Sequence, residues 1–78
     1  MQIYPSPVDQ VFYVDLKDLN LSQVNSYQLF SMSGQLIQNR EITDQLTEIN
    51  ASSLSEGIYL ISLVGPEGIF THKVVVNR

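Results

Sequence analysis

The side chains of this sequence that could take part in chemistry are few and widely spaced. His72 is the single histidine, and the chain contains no cysteine. A metal site built from several histidines or thiolates is therefore excluded within one chain. No serine lies in a G-x-S-x-G turn, the setting that exposes a nucleophilic hydroxyl. The aspartates and glutamates are scattered without a close pair. These residue types predict no enzyme active site, no metal and no cofactor.

The residues that remain favour structural roles. His72 lies between Thr71 and Lys73 in a β-like segment, where we expect an exposed or half-buried strand histidine. No glycine is followed by the Lys-Ser/Thr pair of a phosphate loop, so the glycines predict turns. The tyrosines at positions 4, 13, 27 and 59 could form a stacking surface for sugars. Cross-strand packing with hydroxyls at the rim is the favoured interpretation.

Length and charge limit the partners of the chain. It has 78 residues, of which 44% are hydrophobic, so we expect a single domain with a thin core. Four basic residues against eight acidic ones give a net charge of -4. This balance repels nucleic acid, because phosphate binding needs a basic face. No apolar run approaches the ~20 residues of a membrane-spanning helix. Met1 is followed at once by the polar Gln2 and a proline turn and not by a signal peptide, so we expect this chain to be a piece of a longer protein.

The elements that must position these residues are short β-strands. Runs rich in β-branched and aromatic residues alternate with turn signals. We predict a strand stub at Ile3-Tyr4 and strands at Gln10–Leu16, Ser26–Met32, Gln35–Ile42, Leu46–Asn50, Ile58–Val64 and Ile69–Val76. About seven short strands predict an all-β fold, a small antiparallel β-sandwich of the immunoglobulin-like kind. Residues 1–8 are expected to be a linker with the first strand stub, and residues 10–76 the sandwich.

Patterning adds detail to individual strands. In the second strand, a period of two places Phe12, Val14 and Leu16 on one face. The apolar run Ile58–Val64 predicts a central strand covered on both faces. The polar segment Lys17–Asn25 leaves a short helical turn open.

Turn signals and the end of the chain complete the expected organisation. Ser33-Gly34 predicts a hairpin turn, Ala51–Gly57 a loop anchored by Leu54, and Gly65–Gly68 a further turn. Val74–Val76 fits either a core strand or an edge strand that offers backbone groups to a partner.

Four spaced elements resemble the type A C-terminal sorting domain of the type IX secretion system of Bacteroidetes. They are Tyr4-Pro5-Ser6-Pro7, Gln28–Leu36, Leu54–Ile61 and Lys73–Val76. Their order and spacing agree with the family from Ile3 to Val76. Three positions differ from the usual pattern: Ser6 replaces Asn, Ser31 replaces Asp, and Gln35 replaces Arg or Lys. His72 also stands where a second Lys often precedes the motif lysine.

The resemblance implies a signal rather than a catalyst. Such a domain is expected to carry a fused cargo from the periplasm across the outer membrane through the translocon. A sortase-like peptidase is then expected to remove the domain, and the cleavage site would fall before Met1. The cargo reaches the cell surface or the medium. Pro5 and Pro7 would form a stiff extended junction between cargo and domain.

The motif positions identify candidate site residues. Those expected to serve translocon recognition are Gly57, Tyr59, Lys73, Val74, Val75 and Val76. Those expected to serve the structure of the motif are Pro5, Pro7, Gly34 and Leu54. Gly57 suits either a positive φ or a close backbone approach. The valine-rich last strand also allows a strand-exchanged dimer of the isolated chain.

A second hypothesis needs no sorting motif. A generic immunoglobulin- or fibronectin-like module of a secreted enzyme would bind a carbohydrate or a protein. It would tolerate C-terminal extension, whereas a sorting signal would be sensitive to masking of residues 73–78.

Overall fold

The computed structural model describes residues 2–16, 24–66 and 68–77, and these residues form a β-sandwich. Seven strands build it: β1 (Gln2–Tyr4), β2 (Val11–Asp15), β3 (Ser26–Ser31), β4 (Leu36–Glu41), β5 (Leu46–Asn50), β6 (Gly57–Gly65) and β7 (Gly68–Val76). Every predicted strand is confirmed to within one residue at each end. The helical turn left open at 17–25 falls mostly outside the described residues, as does Glu67 of the last turn.

The strands form two antiparallel sheets. One sheet has the order β1-β2-β5 and the other the order β4-β3-β6-β7. This is the arrangement of strands A, B and E against strands C, F and G in an immunoglobulin sandwich, with β4 added beside the C position. The predicted all-β, immunoglobulin-like fold is confirmed.

The core lies between the sheets and is filled mainly by alternate residues of β2, β3 and β6. Phe12, Val14 and Leu16 are fully buried on the three-stranded side, as their spacing predicts. Leu29, Ile61 and Leu63 are fully buried on the four-stranded side. No polar or charged side chain among the described residues is buried. Apolar burial between two faces is therefore the main source of stability.

The prediction that β6 is covered on both faces is wrong. Its inward side chains, which include Tyr59, are buried, but Leu60 is half-buried and Ile58 is 43% exposed. β6 lies between β3 and β7, so its backbone is paired on both edges. Only one of its faces meets the other sheet. The apolar run therefore reflects a central place in the sheet, and its outer half remains open.

The segment between β1 and β2 also differs from expectation. Pro5, Ser6 and Pro7 form bends and not an extended junction. The bends turn the chain towards β7, where Val8 is buried and forms a parallel bridge with Val76. The Val8 N–H donates to the Val75 carbonyl at 2.7 Å. The segment is therefore attached to the sandwich by its own backbone.

β7 has both of the roles that the sequence left open. Val74 and Val76 are core residues, exposed by only 3% and 1%. The strand is also an edge of the four-stranded sheet, because β6 is its only neighbour in that sheet. Val8 covers the end of this edge, and the Asn77 N–H donates to the Val8 carbonyl at 2.9 Å.

Candidate functional site

The corner between β5 and β6 is held by Tyr59. Its ring is 7% exposed, and its hydroxyl donates to the Ser55 carbonyl at 2.7 Å. Leu54, buried beside the loop, anchors the same corner as predicted. In immunoglobulin-like sandwiches, a tyrosine near the start of the corresponding strand forms a hydrogen bond to the backbone a few residues upstream, a feature called the tyrosine corner. Tyr59 therefore fixes the entry of the chain into β6.

Gly57 begins β6 with a backbone that other residues rarely adopt. Its φ is +155°, and a Cβ placed on it would meet no atom within 4 Å. Of the two explanations that the sequence allowed, the positive φ is correct and the close approach is wrong. The glycine is needed for conformation and not for space.

The turn between β3 and β4 is closed by backbone and hydroxyl groups. Gly34 has a φ of +91°, and its N–H donates to the Ser31 carbonyl at 3.0 Å. The Ser31 hydroxyl accepts the Gln35 N–H at 3.2 Å and lies 2.8 Å from the Ser33 hydroxyl. An aspartate carboxylate could accept the same N–H. Ser31 thus supplies an acceptor where the sorting motif usually has Asp.

The last strand divides its motif residues between two faces. Val74 and Val76 point into the core, whereas Lys73 and Val75 alternate with them and lie on the outer face. Lys73 is exposed and lies opposite Leu60, and Val75 is half-buried opposite Ile58. In the part of the chain that is described, no carboxylate forms an ion pair with Lys73.

Three of the four motif elements meet at one end of the four-stranded sheet, and the first adjoins them. Ser31, at the end of β3, pairs with Tyr59, and Gly57 pairs with Val76. The segment that follows Pro5 and Pro7 joins them through the bridge of Val8. Residues up to about seventy positions apart in the sequence thus form one region.

Sequence reasoning missed a residue that joins the two sheets. Gln38 accepts the Tyr27 hydroxyl at 3.0 Å and donates its amide N–H to the Asn50 carbonyl at 2.9 Å. Tyr27 is 2% exposed, and this burial raises the pKa of its hydroxyl, against the opposing effect of the nearby Arg40 charge. No sequence pattern marks Gln38, because its role follows only from the register of β4.

The four tyrosines do not form one common surface. Tyr27 and Tyr59 are buried, whereas Tyr4 and Tyr13 pair on the outer face of the three-stranded sheet with ring centres 5.7 Å apart. The Tyr13 hydroxyl donates to Glu48 at 3.3 Å, and the negative charge of Glu48 raises the pKa of Tyr13. Cross-strand packing, the favoured interpretation, is confirmed.

His72 and the acidic residues are the remaining side chains that could take part in chemistry. His72 is exposed in β7, as expected of a strand histidine. Within residues 2–16, 24–66 and 68–77 there is no group of three His, Asp or Glu residues that could hold a metal, and no pocket. The same residues contain no helix of the length and hydropathy needed to cross a membrane.

The chain is thus a small immunoglobulin-like sandwich in which residues of several motif elements meet at one end. The family model of the secretion system C-terminal sorting domain matches residues 2–77. The chain belongs to this family, the sorting domains of the type IX secretion system. It matches no curated protein.

Membership assigns the general role of the chain. It carries a sorting signal for type IX secretion, which implies contact with the secretion machinery and fusion to a cargo. The destination that this signal implies is the cell surface or the extracellular space. The family is one of signals and not of catalysts.

Proposed function

We propose that this domain acts as a folded export signal for a cargo attached before Gln2. The cargo protein passes through the periplasm, and the type IX translocon recognises the sandwich and moves the whole chain across the outer membrane. A sortase-like peptidase then cuts upstream of the described residues. The domain itself catalyses no reaction, and turnover of a hydrolase substrate that depends on His72 would overturn this point.

The observation that carries the proposal is the meeting of the motif elements of β3, β6 and β7 at one end of the sheet. Pairings between β3, β6 and β7 bring the elements together, although they are far apart in the sequence. A signal that is recognised as a folded surface needs residues from several strands to lie together. A signal that is recognised as a linear peptide would not need a folded sandwich.

The recognition residues of the motif divide into two groups under this proposal. Gly57, Tyr59, Val74 and Val76 act through the fold, since they set a turn or fill the core. Lys73 and Val75 lie on the outer face and contact the machinery directly. Pro5, Pro7, Gly34 and Leu54 shape the turns that hold the region together.

A transplant experiment tests this function. Residues 1–78 would be fused behind a periplasmic signal peptide, a fluorescent reporter and a short linker. The fusion would be expressed in a type IX-competent bacterium and in a strain without the translocon. We expect reporter at the cell surface or in the medium of the competent strain only. A folded domain held in the periplasm of both strains would overturn the proposal and favour a binding module.

We also propose that the isolated domain can exchange strands between copies. β7 is an edge strand, and its outer edge is bridged only near Val76 in the described chain. An open edge offers backbone groups to a second chain. Light scattering over a range of concentrations tests this, and a monomer throughout would contradict it.

A further inference from the structure

The outer face of the four-stranded sheet carries an apolar region at the same end as the motif elements. Phe30 lies directly opposite both Leu36 and Leu60, and Ile58 lies directly opposite Val75. Opposite residues on one face of a sheet have Cβ atoms about 5 Å apart, so these side chains are neighbours. We call Phe30, Leu36, Ile58, Leu60 and Val75 the outer patch.

The outer patch is open to solvent. Leu36 is 47% exposed and Ile58 is 43% exposed, while Phe30, Leu60 and Val75 are half-buried. The core lies on the other face of the sheet, so core packing does not explain these five apolar residues. A group of neighbouring exposed apolar side chains that is bounded by polar residues is typical of an interaction site.

A row of polar residues separates the outer patch from the far end of the same face. Asn39, Gln28, Ser62 and Thr71 lie opposite one another across β4, β3, β6 and β7. The Ser62 and Thr71 hydroxyls are 3.2 Å apart. Beyond this row Ile69 is 65% exposed and lies opposite the half-buried Val64, so the far end of the face carries a smaller apolar pair.

Charge indicates what covers the outer patch. Lys73 lies opposite Leu60 at the β7 edge, and it is exposed with no ion-pair partner among the described residues. Glu41, the other charged strand residue on this face, lies at the far end beyond the polar row. A complementary surface is therefore apolar with a carboxylate at the Lys73 edge. A second copy packed patch to patch is a poorer match, because the outer patch itself carries no carboxylate that could face Lys73.

We propose that the outer patch, with Lys73 at its edge, is the surface that docks onto the secretion machinery, and that the docking surface there is apolar with a carboxylate facing Lys73. This inference rests on the proposed function and gives it a location. It assigns contacts to Phe30, Leu36, Ile58 and Leu60, which lie on the outward side of the motif elements.

Matched substitutions on the two ends of one face test the location. The double variant Leu36→Thr/Ile58→Thr removes apolar contact area from the outer patch and places at both positions threonine, a β-branched residue that favours strands. Ile69→Thr makes the same change beyond the polar row and serves as the control. Each would be compared with the unchanged chain in the reporter fusion, after thermal unfolding of the purified domain has shown that it folds.

The expected result is specific to the outer patch. Export should fall about tenfold in the double variant, the factor that corresponds to roughly 1.4 kcal/mol of lost contact energy. Export of Ile69→Thr should be unchanged. Lys73→Glu should also reduce export, because it places a carboxylate against a carboxylate.

Other outcomes would overturn the docking site without touching the proposed function. If the unchanged chain is exported and the folded double variant is exported equally well, the outer patch is not the docking surface. An equal loss of export in the Ile69→Thr variant would also overturn the assignment of docking to the outer patch. A dimer of the unchanged chain that the double variant abolishes would assign the patch to self-association. If the unchanged chain is not exported at all, the proposed function itself fails.

Discussion

At the scale of single residues, Tyr59 combines a buried ring with a hydroxyl that bonds to Ser55, and the two parts can be separated. Tyr59→Phe keeps the ring and removes the bond to the Ser55 carbonyl, so the free energy of unfolding should fall by about 1 kcal/mol. Tyr59→Ala also empties core volume and should cost about 3–5 kcal/mol. Chemical denaturation of the purified variants measures both. An equal loss of unfolding free energy in Tyr59→Phe and Tyr59→Ala would contradict the larger contribution assigned to the buried ring.

Lys73 is the motif residue whose removal should leave the fold intact. It is exposed and forms no ion pair within the described chain, so Lys73→Ala should change stability by less than about 0.5 kcal/mol. Export of the reporter fusion should nevertheless fall. Arg40→Ala, which removes an exposed cation from β4, provides the control. Normal export of a folded Lys73→Ala variant would remove Lys73 from the recognition site.

The raised pKa of Tyr27 predicts how the free energy of unfolding changes at alkaline pH. Burial raises the pKa of its hydroxyl above the ordinary value of 10.0, so the folded chain keeps a proton that the unfolded chain has already lost. Stability should therefore not depend on this group below that value and should fall as the pH rises above it. Denaturation curves at neutral and alkaline pH measure the fall. A Tyr27→Phe variant should show a smaller alkaline loss, and an unchanged slope would contradict the assignment.

At the scale of elements, Gln38 joins the two sheets through side-chain bonds. Gln38→Ala removes the bonds to Tyr27 and to the Asn50 carbonyl, each of which is typically worth about 1 kcal/mol. The free energy of unfolding should fall by roughly 2 kcal/mol, as measured by denaturation. Asn39→Ala, the exposed neighbour in the same strand, should cost less than about 0.5 kcal/mol. Equal losses would show that strand propensity, and not the bridge, explains the effect.

The strands themselves follow from local patterns, whereas their contacts do not. Alternation in a segment such as Gln10–Leu16 predicts both the strand and its buried face, because each depends on a period of two. The apolar run of β6 could not reveal that one of its faces is open, since burial depends on what packs above the sheet. Bends at Pro5 and Pro7 depend in the same way on the bridge between Val8 and Val76.

The candidate site is predicted only in part for the same reason. The motif identifies Lys73 and Val75, but alternation alone does not say which residues of β3 and β4 lie beside them. Register supplies that information by placing Phe30 opposite Leu60 and Leu36 opposite Phe30. Register depends on strand order, which no single segment of this sequence encodes.

At the scale of the whole molecule, the segment that follows β1 is joined to the end of the last strand. Asn77→Pro removes the N–H that donates to the Val8 carbonyl, while Asn77→Ala keeps it and changes only an exposed side chain. The proline variant should cost about 1 kcal/mol and should speed proteolysis within residues 5–9. Limited proteolysis followed by mass spectrometry measures this effect. Equal rates of cleavage in Asn77→Pro and Asn77→Ala would contradict a stabilising role for the hydrogen bond between Asn77 and Val8.

The joint between Val8 and β7 has a mechanical consequence. The two segments run parallel, so a pull on the chain before Gln2 against a grip beyond Asn77 drags them along each other in opposite directions. Hydrogen bonds loaded in this shearing geometry share the force and break together, whereas bonds at the end of a peeled hairpin break one after another. Once tension has separated β1 from β2, the bridge carries the remaining load. A cargo that pulls on the chain before Gln2 would therefore load the hydrogen bonds between Val8 and β7 in shear, and not a free chain end.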